Sequence, residues 1–214
     1  MKKLISFDLD QTLVATIRAH YEAFKLAFKS KNIKVNFKQM APLLDGRHSN
    51  EIIISVSSNL NKKEVQEIRE LHHKFLNKTS KYAHPIEGAL KTLKILKRNF
   101  KLALLTNCGT EEERILLKSA KISKKIFDVA ILADQVEHPK PWPDEIFKAE
   151  KIVHVKSDVH VGDSIYDVIA AKKAGVISVG VLTGYNSSKL LKCKPDFIIK
   201  DVTYLPKLLS KIKF

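Results

Sequence analysis

Cysteine is scarce in this chain. Its 214 residues hold only Cys108 and Cys193, far apart and with no C-x-x-C spacing, so the composition excludes a disulfide-stapled miniprotein and suggests neither a thiol zinc site nor a redox pair. Long apolar runs are missing as well. No stretch approaches the ~18 residues of a membrane span, and Met1-Lys2-Lys3 leads only into Leu4-Ile5-Ser6-Phe7 before Asp8 interrupts, too short for a signal-peptide core. The expectation is a soluble, cytoplasmic protein with reduced thiols. Arginine is sparse: of 38 basic residues only Arg18, Arg47, Arg69, Arg98 and Arg114 are arginines, whereas nucleic-acid surfaces lean on arginine for bidentate and stacking contacts.

What is present is enough apolar material, 44% of residues against 29% charged, for one sizeable core or a core with a smaller accessory domain. Disorder and a collagen-like chain are excluded. The net charge of +15 attracts anions, which by sign alone means phosphorylated metabolites, nucleic acid or an acidic membrane. A lysine-coated soluble surface is the simplest reading. The partner expected is a small phosphorylated metabolite, with no specific nucleic acid and no membrane, and the protein is expected as a monomer or homodimer.

Apolar strands followed by amphipathic helices recur along the chain, beginning with Leu4 to Phe7 and continuing at Leu102 to Leu105, Val129 to Leu132, Val159 to Val161 and Val176 to Leu182. That alternation predicts an α/β fold: a Rossmann-like parallel sheet with helices on both faces. Helices are expected around Ile86, Leu90, Leu93 and Leu96, after a capping box of Thr110 with Glu113, from about Asp144, and from Ser164 to a stop at Gly175. Phe197-Ile198-Ile199 adds an edge strand, and Leu205, Leu208, Leu209 and Ile212 a closing helix. Residues 14–84 break the alternation. Here Ile17, Tyr21, Phe24 and Phe28 form one helical stripe and Val65, Ile68, Leu71 and Phe75 another, so an all-helical cap domain is expected at 14–84, inserted into a core of 1–13 and 85–214. The insertion carries 13 basic against 6 acidic residues.

Four segments carry chemistry. In Asp8-Leu9-Asp10-Gln11-Thr12 the two carboxylates lie two residues apart at the end of the first strand, so an extended backbone projects both from the carboxyl edge of the sheet, where open α/β sheets bind ligands. One could serve as nucleophile or metal ligand and the other as general acid and base; a turn or capping role for either is the plainer alternative. Thr106-Asn107 follows the second strand and serves equally well as a turn capping the next helix. Lys140 sits among three prolines in His138-Pro139-Lys140-Pro141-Trp142-Pro143-Asp144, a stiff setting for a lysine. Gly162-Asp163-Ser164-Ile165-Tyr166-Asp167 is an acid-rich turn whose carboxylates could also cap a helix.

All four fall just past the carboxyl ends of strands, and chain geometry gathers such positions around one cleft. Together they resemble the haloacid dehalogenase superfamily: D-x-D-x-T as Asp8 to Thr12, the strand-end threonine as Thr106, the lysine as Lys140, and G-D-S-x-x-D as Gly162 to Asp167. With the strands between them they cover about two-thirds of the chain. The helical insertion resembles, in position and length, the cap of the phosphoglycolate phosphatase-like and β-phosphoglucomutase-like branch. Three positions depart from the pattern: Gln11 where glycine is usual, Ala15 where an acid is common, and Cys108 where a basic residue often follows the Thr-Asn pair.

The resemblance implies a Mg²⁺-dependent phosphatase acting on a small phosphomonoester, phosphoglycolate-like or a sugar phosphate, with a phosphosugar mutase as the alternative that uses the same residues. It implies catalytic roles for Asp8, as the nucleophile forming an aspartyl-phosphate, and for Asp10, as acid and then base. Thr106, Asn107 and Lys140 would hold the phosphoryl oxygens. The metal would be held by Asp8, the backbone carbonyl of Asp10, and Asp163, supported from outside by Asp167. An acid at position 10 favours phosphate esters over the dehalogenase and phosphonate branches. A nucleic-acid-binding module would account for the charge but leave the motifs unexplained. In the insertion, Asp45-Gly46-Arg47-His48 reads as a turn ahead of a helix start at Ser49 or Asn50, and makes Arg47 and His48 candidates for substrate selectivity.

Overall fold

The computed structural model describes residues 2–212. In chain order the elements are β1 (Leu4–Phe7), β2 (Val14–Ala15), α1 (Ile17–Lys29), α2 (Phe37–Met40), α3 (Ser49–Val56), α4 (Lys62–Thr79), β3 (His84–Pro85), α5 (Ala89–Lys97), β4 (Lys101–Thr106), α6 (Thr110–Ser119), β5 (Val129–Leu132), α7 (Asp144–Val153), β6 (Ser157–Gly162), α8 (Ile165–Ala174), β7 (Ile177–Val181), α9 (Ser187–Lys192), β8 (Phe197–Ile199) and α10 (Leu205–Leu209). Six strands form one sheet in the order β5-β4-β1-β6-β7-β8, every pair parallel.

Strand periodicity explains why both faces are covered. In β1, Ile5 and Phe7 point into one apolar layer with Leu102 and Leu104 of β4, beneath Leu93 and Leu96 of α5 and Leu116 of α6, whereas Leu4, Ala103 and Leu105 face the other layer with Ile146 and Ala149 of α7 and Ala170 of α8. Successive strands leave β1 first on one side and later on the other. The carboxyl ends of β1, β4 and β6 therefore meet at a topological switch point, the place where such sheets bind ligands.

Helices α1 to α4 build a third apolar cluster, in which Phe24, Ala27 and Phe28 pack on Ile52, Ile53, Val65 and Ile68. The sequence reading left this stretch without strands, but a two-residue antiparallel pair closes its base: Val14 of β2 faces Pro85 of β3, and Ala15 faces His84. Runs this short carry no detectable alternation. Three other expectations shift by small amounts. The cap of α6 is Gly109 rather than Thr110, and Glu112 rather than Glu113 reaches back, accepting from Gly109 N at 2.8 Å. The α5 helix starts at Ala89, leaving Ile86 ahead of it, and α10 stops at Leu209, leaving Ile212 packed beyond its end. Among the described residues no helix is long and apolar enough to cross a membrane.

Candidate active site

Asp8 stands one residue past β1, its N–H donating to Val161 O of β6 at 2.9 Å. The chain then turns sharply through Gln11, whose φ of 55° lies in the left-handed region that costs a residue with a Cβ roughly 1–2 kcal/mol. Its side chain offsets that cost: Gln11 Oε1 accepts from Thr16 N at 2.6 Å and Ile17 N at 3.2 Å, supplying the free amides at the start of α1. The turn points Asp10 and Thr12 to different neighbours. Thr12 donates to Asp163 Oδ1 at 3.1 Å, while Asp10 faces α1.

The loop after β5 carries Lys140 back under the sheet edge. Its ammonium is buried, 2.7 Å from Asp8 Oδ1 and 2.7 Å from Asp167 Oδ1, with Leu105 O at 3.0 Å as its third acceptor. Asp167 caps α8, accepting from Ser164 N at 3.0 Å and Ser164 Oγ at 2.6 Å, and His160 lies 3.2 Å from its other oxygen. This packing requires glycine at 162, because a Cβ there would fall 2.1 Å from Asp167 Cγ.

Asp8, Asp163 and Asp167 each offer a carboxylate oxygen within 4.8 Å of the others, and the one ammonium among them, Lys140, pairs with Asp8 and Asp167. Burial pushes Asp8 well above the usual carboxylate range; Lys140 opposes this, while Asp167 and Asp10 add to it. Asp163 is raised for the same reason, burial first and then the charges of Asp8 and Asp167. Asp167 also suffers burial, but the Lys140 ammonium and His160 outweigh it and hold that carboxyl well below its ordinary value. An all-oxygen pocket short of positive charge suits a hard divalent cation.

Thr106 ends β4 and accepts from Cys108 N at 3.2 Å, which leaves its hydroxyl proton free to donate. Asn107 lines the same cavity, and both protons of its side-chain amide are taken, Nδ2 donating to Gly46 O at 2.7 Å and to Lys140 O at 2.8 Å, while Oδ1 has no partner.

On the other side of the site Asp10 is gripped by three groups, accepting from Thr16 Oγ1 and from Cys108 Sγ (2.8 Å), with His20 Nε2 at 3.3 Å. Burial pulls His20 down, yet its bond to Asp10 and that carboxylate's charge hold it above its ordinary value. Behind it lies a buried chain: His20 Nδ1 is 3.1 Å from His72 Nε2, and His72 Nδ1 is 3.3 Å from Glu112 Oε1, which also accepts from Ser49 Oγ at 2.6 Å. Sequence reading missed His20, His72 and Glu112. Their signal was faint: His72 occupies a core position on the stripe of Val65, Ile68 and Leu76 in α4, where an apolar residue would be expected.

The loop ahead of α3 meets the sheet edge. Asp45 Oδ2 accepts from Asn186 Nδ2 at 2.9 Å, and Gly46 has a φ of +77° and no room for a Cβ, which would lie 2.5 Å from Ser164 Oγ. Arg47 donates to Ser55 Oγ at 2.9 Å and lines the same cavity as Asp8, Asp10, Thr106 and Asn107. His48 does not. Its ring accepts from Asn50 N at 3.3 Å as the cap of α3, and it borders a neighbouring groove with Arg69, His73 and Asp134.

Comparison with known proteins agrees with this geometry. Residues 5–181 match the model of the haloacid dehalogenase-like hydrolase family. The chain belongs to that family and is a hydrolase. A protein named PpaX from Caldanaerobacter subterraneus subsp. tengcongensis is 28% identical over 210 residues, 96% of this chain and 94% of that one. The pyrophosphatase PpaX of Bacillus mycoides strain KBAB4 is 26% identical over 147 residues, 67% of each chain. A solved structure from Haemophilus somnus 129pt, described as a predicted phosphoglycolate phosphatase, superposes with a TM-score of 0.86 at 24% identity, covering 97% of this hydrolase and 98% of that chain.

Proposed function

We propose that this hydrolase is a Mg²⁺-dependent phosphatase that cleaves a small phosphomonoester through an aspartyl-phosphate on Asp8. The observation that carries the reading is the placement of Asp8: a buried carboxylate held at 2.7 Å by Lys140, grouped with Asp163 and Asp167, and lining one cavity with Asp10 and Thr106. Phosphoryl transfer asks for a fixed nucleophile, neutralised equatorial oxygens and a proton for the leaving group. Asp8 attacks phosphorus and the ester bond breaks. The proton for the leaving alkoxide passes through Asp10, whose carboxylate, despite burial, is held below its ordinary pKa by its donors and lies 3.3 Å from His20 Nε2 as the source. Asp10 then takes one from the water that cleaves the acyl phosphate. Thr106 Oγ donates to a phosphoryl oxygen, and Lys140 stands beside nucleophile and phosphate as a point charge. The carboxylates of Asp8 and Asp163 with the backbone carbonyl of Asp10 would hold the ion, and Asp167, whose oxygens serve Lys140, His160 and Ser164, supports them from outside. A bound Mg²⁺ supplies charge to neutralise the transferring group.

The helical stretch 14–84 acts in this reading as a cap. What supports it is a set of ties to the rest of the chain: Asp45 to Asn186 and Gly46 to Asn107 from the loop ahead of α3, and Ser49 of α3 to Glu112 of α6. Arg47 is the cationic side chain it brings to that cavity. Phosphoglycolate, sugar phosphates, an aryl phosphate and, because relatives carry the name, pyrophosphate form the panel that tests the reading. Turnover should require Mg²⁺ and vanish in Asp8→Asn with the fold intact. Full activity in excess chelator, or in that variant, would refute it.

A further inference from the structure

Asp10, His20 and Cys108 each offer one ligand atom, an oxygen, a nitrogen and a sulfur, within 4.8 Å of one another, and all three line the cavity that holds Asp8. We propose that these three residues form a second cation site, selective for a thiophilic divalent ion such as Zn²⁺, whose occupation takes the Asp10 carboxylate out of acid–base duty. The site is distinct in kind from the all-oxygen group of Asp8, Asp163 and Asp167. Sulfur and imidazole favour zinc-like ions over Mg²⁺, which prefers oxygen ligands alone.

The spacing fits. Tetrahedral zinc with bonds of about 2.0–2.3 Å places its ligand atoms roughly 3.3–3.6 Å apart. His20 Nε2 and Asp10 Oδ1 are already 3.3 Å apart. Cys108 Sγ and Asp10 Oδ2 are closer, at 2.8 Å, because a thiol proton joins them; when the ion replaces that proton the pair opens by the difference. Binding balances as Zn²⁺ in, with the Cys108 proton and any proton on His20 Nε2 released to solvent. The thiolate and the Asp10 carboxylate then cancel the ion's charge, and the fourth position faces the cavity, open to water or phosphate.

The independent observation is the buried chain behind His20. A metal-bound imidazole is normally fixed by a carboxylate or another acceptor on its far nitrogen. Here His20 Nδ1 meets His72 Nε2 at 3.1 Å, and His72 Nδ1 meets Glu112 Oε1 at 3.3 Å. A proton on His20 Nδ1 satisfies its bond to His72 Nε2, and His72 Nδ1 lies beside Glu112 without a hydrogen bond of good geometry. The Nε2 lone pair of His20 is then turned toward Asp10, where without a proton or a cation it faces a carboxylate oxygen. Sequence spacing hid the site because its ligands come from β1's exit, α1 and the loop after β4.

The test is a titration of the Mg²⁺-loaded protein with Co²⁺ as a spectroscopic substitute, followed by Zn²⁺. Wild type and the control Cys193→Ser should each develop a thiolate-to-cobalt charge-transfer band that saturates at one equivalent, and Zn²⁺ should abolish it. Cys108→Ser, which keeps a hydroxyl donor to Asp10, should lack the band, and Glu112→Gln should bind about 10–100-fold more weakly. Absence of the band in wild type, or its persistence in Cys108→Ser, would overturn the site. The inhibitory consequence rests on the phosphatase reading, and a separate arm checks it: Zn²⁺ at saturating Mg²⁺ should inhibit wild type at concentrations at least about tenfold below those needed for Cys108→Ser. Cobalt binding at Cys108 in a protein that cleaves no phosphoester would sink the phosphatase reading and leave the site standing.

Discussion

Lys140 Nζ lies 2.7 Å from Asp8 Oδ1, in a position where 4% of the lysine and 7% of the aspartate remain exposed. The same ammonium holds Asp167, so one cation supports two buried carboxylates. Removing one partner of a buried pair leaves uncompensated charge and costs about 3–5 kcal/mol. Lys140→Met is therefore expected to lose turnover and, in metal-free buffer, to lose stability of that order in chemical denaturation, part of which added Mg²⁺ restores. Unchanged metal-free stability would show that the acids are neutralised by other means.

Asn107 ties two loops that have no other reason to meet, Gly46 from the helical stretch and Lys140 from beyond β5. Asn107→Ala removes both bonds. Each neutral hydrogen bond contributes about 1 kcal/mol net, so kcat/KM should fall at least about tenfold while the fold, read by circular dichroism, is retained. Kinetics equal to wild type would mean that the loop of Gly46 closes without this tie.

Glu145 supplies a pH signature in stability, linked to the charges of Lys140 and Asp167. It is fully buried, neither carboxylate oxygen has a hydrogen-bond partner, and burial raises its pKa to about 7, against the pull of Lys140. A carboxyl raised in the fold binds protons more tightly there than in the unfolded chain, so stability falls as pH climbs from the ordinary glutamate value toward 7 and is level above it. Glu145→Gln should match wild type near about pH 4 and exceed it by up to about 3 kcal/mol near about pH 8. Parallel stability curves for the two proteins would contradict the assignment.

Arg47 shares the cavity with the reacting residues, and its guanidinium is held by Ser55 Oγ at 2.9 Å. If it grips a carboxylate on the leaving group, as the arginine fork does well, Arg47→Ala should reduce kcat/KM for such substrates by about tenfold or more, and for an aryl phosphate far less. Equal losses on both would return Arg47 to a general electrostatic role.

The sheet was legible because buried strands and their helices imprint a period on local sequence: Val129–Leu132 and Phe197–Ile199 have the bounds expected, and α8 runs between Ser164 and Gly175 as its capping signals foretold. Three of the four site segments were legible for a related reason, since the ends of β1, β4 and β6 deliver them to one edge, whereas Lys140 is brought there by the loop beyond β5. Interactions that join distant segments left no such imprint. The His20, His72 and Glu112 line spans α1, α4 and α6, and the amide of Asn107 was assigned to the ligand because nothing in its neighbourhood announces Gly46. His48, a selectivity candidate in the sequence, has its Nδ1 accepting from a backbone amide two residues on.

The short pairing of β2 with β3 has a topological consequence. Leu13 O already accepts from Ile86 N at 2.9 Å, so the chain departs toward α1 and returns from α4 through a doorway one hydrogen bond wide. The residues between Val14 and Pro85 add no strand to the main sheet, yet Ala19, Ala23 and Leu76 pack into the same apolar cluster as Ile5 and Phe7. Such an arrangement leaves the strand order of the reactive edge to residues outside that stretch, while the shared apolar packing ties the two together.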